Sequence, residues 1–411
     1  MVNGTLHPSD SEFERIIKAV RRFWGFSRTF AKRSLSRRRH ALDSKFHERL
    51  DNDFVEDLIM TNLFDITAFG AVGDGVTDNT AAIQAALDAA SACRGVVQVP
   101  PGNYMTGKLK MGKGVSLEGH SAWSFRSYGA SVFTLNTAET DCLLDITGAF
   151  GCSIRGMSLN GQNLGEGIHG VKLYWEQYNG GSEEDTPTID DCRIGNFSGN
   201  AVHLEHIWCF SIRHSMLCFS SAGLYIDGWD GFILDNWFSG NRDGGLKGGP
   251  CCASVTATGN RVEWNRLAGF YLPNVNCCNF TGNYFDRSGG PALVLGADNG
   301  YATAVSVTGN LIYRSGKPKP EPFDEVYDSA HVRMTRADNI VLTGNTFRIG
   351  CDDGGVGTWS PDYCVVIKDC RQCIVRDNVW NRGAIKEGLV LLGENPEVVT
   401  EGNIGCTHTG G

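Results

Sequence analysis

The hydrophobic pattern changes character once along the chain. Between residues 10 and 60 the apolar positions Phe13, Ile16, Ile17, Val20, Phe23 and Trp24 recur at three- and four-residue steps, the spacing of one helical face. Asp10 stands where an N-cap belongs, with Glu12 and Glu14 in the following turn. From Phe64 onward, short apolar runs alternate with Gly- and Asn-rich turns. One further helix is predicted near residues 79–92, where Asp78, Asn79 and Thr80 precede Ala81, Ala82, Ile83, Ala85, Ala86 and Leu87. Val96–Val99 then alternates as a strand and stops at Pro100, Pro101 and Gly102.

The remainder is a repeat. Units of the form strand, turn, Asn, apolar residue align on Asn236, Asn260, Asn283, Asn310, Asn345 and Asn378, at steps of 24, 23, 27, 35 and 33 residues. Ser215 and Cys192 take the same place upstream. Periods of this length belong to stacked-coil solenoids. Each unit holds two or three strands of a few residues and no helix. The expected fold is therefore all-β, a right-handed parallel β-helix over residues 63–411, with a helical extension over residues 1–62. Coils stack at about 4.8 Å, the ordinary strand spacing. Stacked Asn side chains can bond along the axis and tolerate tight corners, so they read as structural.

Composition narrows the function. Hydrophobic residues make up 41% of the 411 and charged residues 20%, too apolar for a disordered chain. No run of 18 uncharged apolar residues predicts a membrane helix. The net charge of −9 argues against nucleic acid as the partner, although Lys18–His40 is strongly basic; that stretch reads as a solvated arm docking on the body or on a neighbouring subunit. Fifteen cysteines without a recognisable export signal suggest a reduced, cytoplasmic chain acting on imported oligosaccharide. The single CxxC, Cys370 to Cys373, lacks two further ligands at matching spacing, so no metal or other cofactor is expected.

The segment from Phe64 to Leu87, FDITAFGAVGDGVTDNTAAIQAAL, followed by Val99-Pro-Pro-Gly-Asn-Tyr, resembles the N-terminal signature of the pectate-lyase-like superfamily. That superfamily includes polygalacturonases, related glycosidases and phage tailspikes. The resemblance implies an entry strand, a capping helix and a first β-helical coil, and it is compatible with hydrolase, lyase or glycosyl-transferring chemistry. It also implies a homo-oligomer, with a trimer favoured. Of the polygalacturonase motifs only an Asp-Asp pair, Asp352 and Asp353, is present.

Residues at equal offsets from the corner Asn become neighbours along the axis. Three residues after it come Ser239, Glu263, Asp286, Tyr313 and Arg348. Glu263 and Asp286 are thus expected on consecutive coils, about 5 Å apart, as an acid and a base or nucleophile for glycosidic bonds. Offset four adds Trp264, Arg287 and Arg314 as sugar-binding candidates. Asp352 and Asp353 are reserve catalytic residues. A second column is read from alternation in Ala201–Glu205 and Gly223–Asp227, which buries Val202, Leu204, Leu224 and Ile226 and leaves His203, Glu205, Tyr225 and Asp227 outward. Lys247 and Tyr271 continue that column, and Trp208, Trp229 and Trp237 lie near it. His331 is expected outward as a proton shuttle. The resulting reading is a glycoside hydrolase-like enzyme using paired carboxylates. The alternatives are a polysaccharide lyase or intramolecular fructosyl transferase on the same scaffold, and a non-catalytic glycan-binding or adhesion protein.

Overall fold

The computed structural model describes residues 62–120, 124, 126–178, 183–316, 329–349 and 360–405. The basic arm and the Asp352–Asp353 pair lie outside them. Within them the chain winds as a parallel β-helix of three faces. One face is an 11-stranded parallel sheet of short strands, among them Trp237–Ser239, Arg261–Glu263, Tyr284–Asp286 and Leu311–Tyr313. The other two belong to a 22-stranded sheet folded at a corner. Parallel neighbours joined by crossovers wind right-handed, because a twisted strand returns to its sheet only that way.

Three long strands, Val202–Arg213, Ala222–Leu234 and Gly244–Thr258, run through that corner. Their register shifts between Glu205 and Ile207 and between Ile226 and Gly228. The extra residue in the first of them is His206, at φ 57°, and the kink is a β-bulge that re-aims its side chain.

Alternation decides the core. Val202, Leu204, Leu224, Ile226, Leu246 and Phe270 point inward and are fully buried. Phe270 packs edge-on against Phe238, Phe280 and Phe285 at centroid distances of 6.0, 6.1 and 5.1 Å. The helix Thr80–Cys93 closes the upper end, burying Ile83, Ala86, Leu87 and Ala90. Its cap differs from the simplest reading. Asp78 Oδ1 accepts from the Thr80 N–H at 3.0 Å, while Asn79 turns away and accepts from the Val72 N–H at 2.6 Å.

The Asn ladder forms along one corner. Each Asn from 236 to 378 accepts, on Oδ1, the backbone N–H of the residue one coil above. Asn260 accepts from Asn236 at 2.9 Å and Asn283 from Asn260 at 3.0 Å. Each amide nitrogen donates back to the coil above, as Asn283 Nδ2 does to Ala257 O at 3.0 Å. Ser215 joins as predicted, and Asn403 extends the ladder downward. A second, shorter ladder of Ser220, Asn241 and Asn265 occupies the next corner and was not read from the sequence.

Candidate active site

Glu263 and Asp286 are register partners on adjacent strands of the short-strand face, beside Val262 and Phe285, which face the core. Their surroundings do not suit catalysis. Glu263 is buried; its Oε1 accepts from Trp237 Nε1 at 2.9 Å and its Oε2 from Arg261 Nε at 2.9 Å. Asp286 is 2% exposed and is gripped by Arg314, Nε to Oδ1 and Nη2 to Oδ2, both at 2.9 Å. Arg287 adds a further ion pair. Burial raises the Asp286 pKa, and the opposing pull of the two guanidiniums does not overcome it. All four carboxylate oxygens are engaged by side chains of the same face, so this pair is a packed ionic cluster.

The neighbours assigned to sugar binding share that cluster. Arg314 is buried on Asp286 rather than open to a ligand. Arg287 lies over the ring of Trp264 at 4.5 Å, and only the indole, 47% exposed, faces solvent broadly. Trp264, Arg287 and Arg314 all adopt positive φ, near 50–58°, as corner residues. His331 is a correction. It is fully buried, not outward; its Nδ1 accepts from the Ser315 N–H at 3.4 Å and its Nε2–H donates to Gly383 O at 2.8 Å. Burial pulls its pKa down to about 3, so it is a neutral core residue. Trp237 also differs, since it sits on the short-strand face. Cys370 and Cys373 are buried thiols, the former pushed up to about 12 by burial.

The second column is different. His203 pairs in register with Tyr225, Glu205 with Asp227, and Tyr225 with Lys247, which pairs with Tyr271. Lys172 and Tyr174 extend the two rows one coil upward. His203 stacks on its register partner Tyr225 at 4.6 Å and 7° between planes, and His169, three residues before Lys172, lies over the other side of His203 at 4.2 Å. The Asn200 amide donates to His203 Nδ1 at 3.0 Å, so the ring proton sits on Nε2 and is donated to Glu205 Oε2 at 3.0 Å. Burial and the Lys172 ammonium pull the His203 pKa down to about 4. Burial, with the Glu205 and Asp227 charges, pushes the Tyr225 phenol up to about 12.

Asp227 lies at the corner and is 2% exposed, covered by its neighbours where the alternation placed it outward. Its Oδ1 accepts from the Cys251 N–H at 2.8 Å and the Tyr178 hydroxyl at 3.3 Å, and its Oδ2 faces His206 Nε2 at 3.4 Å. His206 Nδ1–H donates to Trp175 O at 2.6 Å, which fixes the ring. Tyr178 packs on both His206 and Trp229 at 4.5 Å. The segment carrying Trp175 and Tyr178 is tied down by Asp185, which accepts from Trp175 Nε1 at 3.0 Å and the Trp208 N–H at 2.9 Å. A side chain at Gly249 would press on Tyr225, its Cβ falling 2.5 Å from the phenol oxygen, so glycine here makes room for the site. Glu205 keeps 29% of its side chain exposed and has one carboxylate oxygen not committed to His203.

The alternation rule placed His203, Glu205, Tyr225, Asp227, Lys247 and Tyr271 together. It missed His206, because a bulge residue breaks the period of two. It missed Tyr174 and Tyr178 as well. Tyr174 was legible as the residue one repeat above Glu205; Tyr178 sits in a loop and had no periodic signal.

A family model for rhamnogalacturonase A and epimerase, pectate-lyase-like, matches residues 63–260, and one for the right-handed β-helix region matches residues 211–405. The mannuronan C5-epimerase AlgE1 of Azotobacter vinelandii is 57% identical over 42 residues, which is 10% of this chain and 3% of that protein. The match thus spans a small part of the curated relative's length. Among solved structures, the A-module of the Azotobacter vinelandii mannuronan C-5 epimerase AlgE4 superposes with a TM-score of 0.52 at 16% identity, covering 83% of this chain and 99% of that one. The Dettilon tailspike protein gives 0.54 at 13%, covering 81% and 69%. At these identities the likeness is one of fold.

Proposed function

From a chain of the pectate-lyase-like superfamily of right-handed β-helices, we propose a carbohydrate-active enzyme whose reaction takes place at the Glu205–Asp227 corner. The observation that carries this reading is the register of two carboxylates on adjacent coils, each faced by a histidine, beside half-exposed aromatic rings. Adjacent coils stand about 4.8 Å apart, close to the spacing of carboxylates in double-displacement glycoside cleavage. Glu205, the more exposed, offers its uncommitted oxygen to the glycosidic oxygen and passes a proton to the leaving sugar. His203 orients it through the Nε2–H bond. Asp227, its carboxylate oriented by the Cys251 N–H and the Tyr178 hydroxyl, bonds the anomeric carbon as the leaving sugar departs, and water deprotonated by Glu205 then displaces it to release the second sugar. Tyr174, Tyr178 and Trp229 give sugar rings apolar faces to stack on.

The stacked His203 and Tyr225 favour one second reading. A neutral imidazole lies against a phenol that keeps its proton, and environments that push two pKa values apart mark acid–base partners. At a uronic acid, such a pair would remove and return the proton on the carbon beside the carboxylate, giving epimerisation or elimination. Turnover of neutral and uronic oligosaccharides, followed by NMR, decides between the readings. Glycoside cleavage yields new reducing ends, elimination an unsaturated ring, and epimerisation deuterium incorporation from D2O without chain scission. Turnover of any kind that survives both Glu205→Gln and Asp227→Asn removes the corner from the mechanism. Glycan binding with no turnover makes the chain an adhesion protein.

A further inference from the structure

A cleft opens further along the corner column that carries His206, nearer the lower end of the solenoid. It has a volume of about 580 Å³, and its lining includes Tyr301, Thr303, Arg336, Asp338, Asp369 and Arg371. Thr303, Asp338 and Arg371 are register neighbours on three successive coils, in the column that carries Trp208 and Trp229 above. Arg336 and Asp369, at φ 50° and 52°, occupy the corner that His206 occupies in the upper coils. From Asp227 to Arg336 the chain descends four coils, about 19 Å at the usual strand spacing.

We propose that this cleft is a binding subsite for an uncharged, hydroxyl-rich glycan segment. The composition fits that ligand. Two arginines and two aspartates balance in charge, so nothing selects strongly for an anion or a cation. Together they offer donors and acceptors alternately, as vicinal hydroxyls require. Tyr301 is 45% exposed and supplies a flat apolar face for a sugar ring. One acceptor is short of a donor: Asp338 Oδ2 takes the Arg371 Nη2–H at 2.8 Å, but its Oδ1 is shielded from solvent and has no hydrogen-bond partner. An unsatisfied acceptor of that kind is costly, and a hydroxyl donated to it recovers the loss. The Arg371 side chain beside it is 67% exposed and lines the cleft. The other groups are positioned in advance. Arg336 Nη1 is anchored on Asp298 O at 2.9 Å, and Asp369 Oδ1 accepts the Glu394 N–H at 3.1 Å.

This subsite lies beyond reach of the Glu205–Asp227 chemistry and does not depend on it. Its occupancy is therefore measured on the Glu205→Gln protein. The probes are cello-, manno-, malto- and xylohexaose, with hexagalacturonate as the charged comparison, by titration calorimetry and ligand-observed NMR. The expected result is binding of at least one neutral hexaose. Tyr301→Ala and Arg371→Ala each weaken it tenfold or more with an unchanged melting temperature, and hexagalacturonate binds no tighter. No binding of any neutral hexaose at millimolar concentration overturns the proposal. So does binding that Tyr301→Ala and Arg371→Ala both leave intact, or a clear preference for hexagalacturonate. Loss of turnover in Glu205→Gln with retained hexaose binding keeps the two sites separate. Retained turnover in that variant counts against the corner mechanism alone.

Discussion

Two carboxylate pairs sit on this solenoid in the same geometrical relation, one above the other on adjacent coils, and their neighbours give them opposite characters. Glu263 and Asp286 look outward from the short-strand face, but Trp237, Arg261, Arg287 and Arg314 close over them. Asp227 on the next face is as buried as Asp286, but it is met by a histidine and a tyrosine instead of arginines, and its register partner Glu205 keeps 29% of its side chain exposed. Register brings acids together in both places. What separates a structural ion cluster from a reactive site is the partner. A buried arginine cannot give up its proton, whereas imidazole and phenol can exchange theirs.

The sharpest way to break this comparison is to neutralise one acid in each pair. Glu205→Gln and Asp227→Asn are each expected to lower kcat about 10³-fold, roughly 4 kcal/mol of transition-state stabilisation, while Glu263→Gln stays within about threefold of the parent. Initial rates on whichever oligosaccharide is turned over check this, and a reversed order would return catalysis to the short-strand face. The next effect is on stability. Asp286→Ala leaves Arg314 buried without its counterion and is expected to cost about 3–5 kcal/mol, seen as a lower urea midpoint. Replacing both, Asp286→Leu with Arg314→Met, should restore most of it, because two buried charges are then removed together.

Asn283→Ala interrupts the ladder between Asn260 and Asn310: it strands the Asn260 N–H and Nδ2 donors and takes a donor from Ala257 O and Asn310 Oδ1. A loss of about 2–3 kcal/mol is expected in the same urea measurement, with kcat unchanged. The smallest effect is a pH slope. His203, with pKa drawn down to about 4, and His169 and His331, to about 3, all lie below the unfolded value near 6.5. The unfolded chain binds these protons first. The stabilisation is therefore complete above about pH 6.5 and is lost progressively as the pH falls toward the folded values. Urea midpoints at pH 7.5, 6 and 5 should fall, and His331→Gln should flatten that fall by up to about 1.4 kcal/mol per pH unit. A slope indifferent to His331 would mean that its ring is not buried and neutral.

The repeat made most of the architecture readable, because a solenoid converts sequence period into spatial neighbourhood. Asn236 to Asn378 predicted a ladder that the hydrogen bonds reproduce, and counting from them places Glu263 beside Asp286, as the register does. Alternation in Ala201–Glu205 and Gly223–Asp227 likewise put Val202, Leu204, Leu224 and Ile226 in the core, whereas Asp227, expected outward, is 2% exposed. Where a residue broke the period, the sequence was silent. His206 at a bulge and Tyr178 in a loop carry no repeat position, and the His331 ring packs on the core residue Phe347 at 5.8 Å with its Nε2–H bonded to Gly383 O.

Local order along the chain was thus enough to set the winding, the capping helix, the Asn corner and which side chains share a column, since each depends on short-range pattern and a constant coil rise. Exposure was not among those things. Whether an outward carboxylate meets solvent, an arginine or a histidine depends on side chains arriving from one or two coils away and from insertions between them. Those are long-range encounters, and only the folded structure settled them.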